Sequence, residues 1–321
     1  MRTLILTHSD CDGICAGAIA LSRFPNADVF FTKPVSLLSD LKNAEADRIV
    51  ITDIAINRRD AEDIIKLMSK KKSEILYFDH HPVADRIKKR LKNVTSLYIN
   101  ENASASELIY KYFQREIPRE RIWIAIYGAI GDYEENTEFI EERILNWDVR
   151  ALYFEASTIV LGIKHKRFES YDKKRMIVDI LSKGGNPSDV PGLVLAAKKV
   201  VNEEFDVYEV VKKEAVKRGE VGYVKDLSFF GFRGPVALFA STVTDSRIGM
   251  SVYTRKNHLD ITMRSRDYSV PLNVLADDAA DAIDGSGGGH VHAAGARIPL
   301  GKLDDFIAEI NRLLETKFRR K

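Results

Sequence analysis

Residues able to bind metals or move protons fall in four groups along the N-terminal half: His8, Asp10 and Asp12 ahead of Gly13; Asp53; Asp79, His80 and His81; and Asp132 after Gly131. His8, Asp10 and Asp12 alternate, so a strand would put them on one face and a loop just past a strand could wrap them round a cation. Gly13 permits a sharp turn into a helix whose positive N-terminal end favours an anion. The plainer role for this loop is to cap that helix through Asp12. Asp53 interrupts the apolar stretch 49–56, where a carboxylate is costly unless paired with a proton, an arginine or a cation. His80 and His81 are adjacent and cannot point the same way from a strand. One suits a metal and the other a substrate, with Asp79 orienting an imidazole. Asp132, taken alone, would be an ordinary helix stop. Carboxylates with imidazole and no thiolate suit Mn²⁺ or Mg²⁺, and Mn²⁺ ranks first because it accepts mixed nitrogen and oxygen ligation. The set is large enough for two such ions, and two cations sharing a carboxylate break phosphate esters.

A second group lies near the other end of the sequence. Gly285, Ser286, Gly287, Gly288 and Gly289 lead into His290 and His292, a glycine-rich loop whose amides could surround an anion. Arg264 and Arg266 flank Ser265 at a strand end, where a guanidinium can clamp a phosphate through two hydrogen bonds. Phe229, Phe230 and Phe232 beside Arg233 could stack a base, but core packing accounts for them better. The charged run 164–175 reads as a solvated face.

The elements that must carry these residues follow from periodicity. Short apolar strands at 4–7, 28–32, 48–52, 74–78 and 94–99 alternate with helical patterns at 14–22, 59–70 and 83–91, which implies a parallel sheet with right-handed crossovers. Helical character then dominates. Ser104 with Glu107 has the spacing of a capping box, residues 121–130 form a mostly apolar helix delivering Asp132, and helical periodicity runs through 140–154. Gly184, Gly185 and Pro187 mark a break. Beyond it the pattern predicts a helix from 192 to about 217, then strands at 219–224, 228–231, 236–239, 250–254 and 259–264. A helix start at 241–247 and helices at 271–283 and 303–318 complete a smaller α/β domain.

Composition narrows the setting. The 321 residues suit two domains. With 49 basic against 47 acidic residues no bulk field advertises nucleic acid, although a local patch is compatible with this balance. A charged fraction of 30% with a single glutamine, Gln114, resembles a thermophile surface. Two cysteines, Cys11 and Cys15, exclude a disulfide framework and fit a reduced cytoplasmic location. The start lacks the pattern of a signal peptide, and no apolar run approaches the roughly 20 residues of a bilayer span, so no membrane partner is expected.

Taken in order, His8-x-Asp10-x-Asp12-Gly13, Asp53, Asp79-His80-His81 and Gly131-Asp132 resemble the four motifs of the DHH phosphoesterase superfamily. Gly287-Gly288-Gly289-His290 with Ala293-Ala294-Gly295 looks like the signature of its associated C-terminal domain, and Met263-Arg264-Ser265 resembles that domain's Arg-Ser strand. The resemblance covers nearly the whole chain. It implies an α/β fold with a parallel-sheet catalytic domain at 1–160, a connecting region at 161–190 and a substrate-binding domain at 191–321, with the active site in the cleft between domains. It further implies that His8, Asp10 and Asp53 hold one Mn²⁺ and that Asp12, Asp53, His80 and Asp132 hold the other, with Asp53 bridging. His81 would face the scissile phosphate, Asp79 would orient it, and Arg264, Ser265, Gly288, Gly289, His290 and His292 would grip a phosphate or the released nucleotide.

The compact plan is similar to nanoRNases, to the 3′-phosphoadenosine phosphatases related to them, and to archaeal RecJ-type nucleases associated with helicases. No stretch is left over for the extra oligonucleotide-binding fold of full RecJ enzymes. The expectation is a Mn²⁺-dependent 3′–5′ exonuclease on single-stranded DNA or short RNA that releases nucleoside monophosphates. A 3′-phosphoadenosine 5′-phosphate phosphatase, a cyclic-dinucleotide phosphodiesterase and a non-enzymatic scaffold for a replication or repair helicase are the alternatives. A helicase or repair protein and a second copy of the chain stand among the partners the resemblance allows.

Overall fold

The structure is a computed structural model that describes residues 1–227, 229, 231–267, 269–289 and 291–319. The chain divides into two compact units, Met1–Lys199 and Val200–Lys321.

The first unit begins β1 (Thr3–Thr7), α1 (Cys11–Arg23), β2 (Asp28–Phe31), α2 (Leu37–Asn43), β3 (Arg48–Thr52), α3 (Ala61–Met68), β4 (Glu74–Asp79), α4 (Asp85–Leu91) and β5 (Ser96–Ile99). Helices follow: α5 (Ala105–Phe113), α6 (Ile122–Gly131), α7 (Glu138–Ile144), α8 (Val149–Gly162), α9 (Tyr171–Ser182) and α10 (Leu193–Glu214), the last of which crosses the division. The strands form a wholly parallel sheet in the order β2-β1-β3-β4-β5. Side chains leave alternate faces of each strand, so Ile5, Val50, Leu76 and Phe78 meet α1, α5 and α6, while Leu6, Ile49, Ile51 and Tyr77 meet α2 and α3. Strand order reverses between β1 and β3. In such sheets the crevice beyond the carboxyl ends at the reversal is the natural ligand site.

Two expectations for this unit need correction. The helical pattern at 140–154 is two helices, because Asp148 leaves helical geometry and accepts the Arg150 amide to cap α8. The charged run 164–175 is not merely a solvated face. Phe168 is fully buried, and α9 packs against α1.

The second unit contains β6 (Val216–Arg218), β7 (Val221–Lys225), α11 (Arg233–Val243), β8 (Ile248–Thr254), β9 (His258–Ser265), α12 (Leu272–Asp281), β10 (Ser286–Gly289), β11 (Ala293–Pro299) and α13 (Leu303–Thr316). Its sheet has the order β10-β11-β9-β8-β7-β6 and is antiparallel except for the β7–β8 pair. Alternate residues of β8 and β9, including Met250, Val252, Ile261 and Met263, pack against α12 and α13.

Here the sequence reading errs at three places. The predicted strand at 236–239 lies inside α11, and 241–247 holds that helix's end rather than a start. Val236, Ala237, Ala240 and Ser241 are buried at helical spacing, and so short an apolar run does not by itself separate helix from strand. The predicted strand at 228–231 is absent among the described residues, with Ser228 and Phe230 outside them; Phe232 is buried, as core packing required. The glycine-rich loop is instead a strand, β10, paired with β11 from Ser286 opposite Arg297 to Gly289 opposite Ala294. Gly288 and Gly289 have φ of 152° and 129°, conformations that L side chains rarely adopt, so glycine is needed for the strand's own geometry.

Among the described residues no helix is long and apolar enough to cross a membrane. Cys11 and Cys15 are both buried and free.

Candidate metal centre

β1, β3 and β4 end side by side, and each delivers its polar residues to the same edge. His8, Asp10 and Asp12 follow β1, Asp53 follows β3, and Asp79, the last residue of β4, precedes His80 and His81. Asp132 arrives from another layer as the C-cap of α6. The α1 helix is capped by Asp10, whose Oδ1 accepts the Gly13 amide at 3.0 Å. Asp12 serves a different helix. Its two oxygens accept the amides of Ala105 and Ser106, at 2.7 and 3.0 Å, at the positive end of α5. The α6 helix passes close enough to Asp12 that a Cβ on Gly128 would lie 2.6 Å from its Oδ1, so a glycine is required there. Ser104 caps α5 by accepting the Glu107 amide, but the Glu107 carboxylate turns to Lys111 and Thr137 instead of closing a capping box.

These side chains converge into two groups that share one residue. His8, Asp10 and Asp53 offer ligand atoms within 4.8 Å of one another, and so do Asp12, Asp53, His80 and Asp132. Asp53 belongs to both. Its Oδ2 lies 3.6 Å from His8 Nδ1 and its Oδ1 3.3 Å from His80 Nε2, and His80 Nε2 is 3.5 Å from Asp132 Oδ2. His81 also comes within this range of Asp53 and His80, while its Nδ1 is held by Asp79 Oδ1 at 2.8 Å.

Electrostatics favour a cation in this cluster. Asp53 is 2% exposed, and neither of its carboxylate oxygens makes a hydrogen bond. Burial pushes the carboxyls of Asp53 and Asp132 well above the usual range, and neighbouring Asp10 and Asp12 push them further. Burial opposes charge on His8 and His81, yet Asp10 beside His8 and Asp79 beside His81 outweigh it. The His8 pKa is pushed up to about 11 and that of His81 is also raised. A buried carboxylate with orphaned oxygens, at the meeting point of two oxygen- and nitrogen-bearing groups, fits a divalent cation by donor type and by charge.

Asp53 is also one of the few non-glycine residues at positive φ, 56°, which turns its carboxylate out of the strand direction.

In the second unit, Arg264 pairs with Ala293 across β9 and β11, so it shares one end of the sheet with Gly288, Gly289 and His292. Ser265 is buried there, its hydroxyl bonded to the Arg247 carbonyl and the Asp267 amide. His290 lies outside the described residues.

Lys174 is a site neighbour that the sequence reading passed over. From α9 its ammonium donates to the Ser9 carbonyl at 2.8 Å, inside the His8–Asp12 loop. The signal was its place one turn ahead of Ile177, Val178 and Leu181, on the buried face of that helix.

A model of the DHH family N-terminal domain matches residues 2–142, and one of the DHHA1 domain matches residues 233–316. No curated protein matches the chain. Among solved structures, a DHH-domain protein described as belonging to a family of ribosomal proteins is 15% identical with a TM-score of 0.74, over 98% of this chain and 87% of that one. The pGpG-specific phosphodiesterase PggH of Vibrio cholerae is 15% identical with a TM-score of 0.62, over 98% and 99%. RecJ of Thermus thermophilus in complex with Mn²⁺ is 15% identical with a TM-score of 0.65, over 98% of this chain but 52% of RecJ, so this chain spans about half of that enzyme. At such identities the likeness is one of fold. Two domain matches, in the order that the motifs led us to expect and covering most of the sequence between them, place this chain in the DHH superfamily of phosphoesterases.

Proposed function

We propose that this phosphoesterase is a Mn²⁺-dependent phosphodiesterase acting as a 3′–5′ exonuclease on single-stranded DNA or short RNA, with nucleoside monophosphates as products. The observation that carries the reading is the sharing of Asp53 between two ligand groups, with both of its oxygens buried and without hydrogen bonds. His8, Asp10 and Asp53 would hold one ion, and Asp12, Asp53, His80 and Asp132 the other. Two divalent cations supply a nucleophile at neutral pH and offset charge on the phosphoryl oxygens. The chain's own residues do the rest. Asp12, fixed by two α5 amides, cannot swing away from the cluster. Asp79 fixes the His81 ring through Nδ1 and, against the opposing effect of burial, raises its pKa; in the charged form the imidazole would carry a proton at Nε2 that it could give to a phosphoryl or departing ester oxygen. Arg264, Gly288, Gly289, His290 and His292 would form the part of the second unit that grips substrate phosphate or released nucleotide, with the guanidinium of Arg264 as the main contact. Ser265, its hydroxyl taken up by backbone groups, would hold the end of β9 in place. Mg²⁺ would serve the same ligands less well, because two of the three imidazoles belong to the ligand groups.

A short substrate has a specific supporting observation: the pGpG-specific phosphodiesterase matches over nearly the full length of both chains. A panel containing a labelled single strand, short RNA, 3′-phosphoadenosine 5′-phosphate and a cyclic dinucleotide, each with Mn²⁺, tests the reading. A ladder of mononucleotides supports it. Release of inorganic phosphate alone would make the chain a phosphatase, and no hydrolysis despite bound Mn²⁺ would favour a scaffold role beside a helicase.

A further inference from the structure

Tyr133 stands immediately after Asp132, where α6 ends. The Glu134 amide bonds the Ala129 carbonyl at 2.9 Å and the Tyr133 amide bonds that of Ile130 at 3.3 Å, the paired closure in which a left-handed residue terminates a helix. That residue is usually glycine, because a Cβ in this conformation crowds the backbone. Here it is a tyrosine with φ of 61°. Strain at such a position is tolerated when packing repays it, yet Tyr133 is 82% exposed. Neither local geometry nor the core asks for an aromatic ring at this place. Strained residues of this kind collect at ligand sites. The neighbour on one side fits that rule: Asp132 belongs to the metal-type cluster, 3.5 Å from His80.

We propose that Tyr133 is a stacking platform for the nucleobase next to the scissile phosphate, and that its ring sets a preference for substrates carrying a base at that position. The proposal rests on the phosphodiesterase reading above. A flat ring with few rotatable bonds accepts any base on its π face, which suits a sequence-tolerant enzyme. Its hydroxyl is not required, whereas its ring is.

The test compares diadenylate with analogues in which one residue, then the other, is abasic, using Mn²⁺ and the full chain. Wild type should show a KM about ten-fold lower for intact diadenylate than for one of the analogues, the scale of a base–aromatic stack. Tyr133→Phe should keep that ratio. Tyr133→Gly should bring it close to one while its Tm stays equal to or rises above that of wild type, since glycine relieves the backbone. Equal KM values in wild type, or an unchanged ratio in Tyr133→Gly, would overturn the stacking role. A lower Tm in Tyr133→Gly would overturn it too, by making the ring a structural anchor. If wild type cleaves neither intact nor abasic substrate, the phosphodiesterase reading itself fails and the stacking role goes with it.

Discussion

The ammonium of Lys174 donates to the carbonyl oxygen of Ser9 at 2.8 Å, joining residues 165 positions apart and tying α9 to the loop that carries His8, Asp10 and Asp12. Burial draws the Lys174 pKa down, and nearby Asp10 opposes that shift. The contact therefore anchors the loop to a helix that lies far from it in the sequence.

Lys174→Met keeps the aliphatic stem and deletes the donor. We expect a loss of about 1–2 kcal/mol in urea unfolding, the scale of a partly buried hydrogen bond to a charged group. Amide hydrogen exchange should speed up at positions 10–14. Unchanged exchange there would mean that the loop does not lean on Lys174.

Asp79 touches His81 and belongs to neither ligand group that shares Asp53, so its removal should separate positioning from metal binding. Asp79→Asn is expected to lower kcat ten-fold or more while Mn²⁺ affinity, read by calorimetry, changes little. A large fall in Mn²⁺ affinity would assign Asp79 to the ion rather than to the imidazole.

In the second unit Arg247 and Asp267 form a largely buried pair at 2.9 Å, and Arg247 also donates to the Phe318 carbonyl. Hydrogen bonds from Ser269, with help from Arg247, hold the Asp267 carboxyl below its usual range despite the penalty of burial. A depressed carboxyl pKa contributes stability above the unfolded value near 3.8, and that contribution is lost as pH falls through the folded value. Asp267→Ala should cost about 3 kcal/mol at neutral pH and flatten the decline in Tm below pH 4. An acid limb identical to that of wild type would locate the acid sensitivity elsewhere.

Much of the first unit was legible because its chemistry sits where strand periodicity stops. A parallel strand buried on both faces is a short apolar run, and the polar residues after 4–7, 48–52 and 74–78 could belong only at the strand ends. Spacing along the chain could not reveal which helix each carboxylate would cap. The helix cap that was the plainer alternative for Asp12 falls to Asp10, while Asp12 meets the start of α5 at Ala105, 93 residues away. Lys174 was hidden by the charges around it, since its contact depends on how α9 lies against α1. In the second unit the apolar residues 236–240 suit a helix or a strand equally, and only the sheet against which they pack decides between them. The glycines at 287–289 resembled an anion-cradling loop rather than a strand because composition carries no sign of a hairpin partner that begins at Ala293.

Asp53 offers the sharpest test of the metal centre. Its carboxylate is buried, makes no hydrogen bond and has other carboxylates around it, so it opposes folding unless a cation or proton answers its charge. Asn at this position keeps the shape, tolerates the φ of 56° and removes that charge. In chelator, Asp53→Asn should therefore be at least as stable as wild type. With Mn²⁺ at about a hundred times its dissociation constant, wild type should gain about 2.7 kcal/mol for each site filled, and Asp53→Asn should gain less because both ligand groups lose their common member. Hydrolysis by Asp53→Ala should be nearly abolished. Thermal unfolding with chelator and with Mn²⁺, alongside turnover, reads all three quantities. Wild-type turnover by Asp53→Ala in Mn²⁺, or an undiminished Mn²⁺ gain in Asp53→Asn, would remove Asp53 from the bridging position.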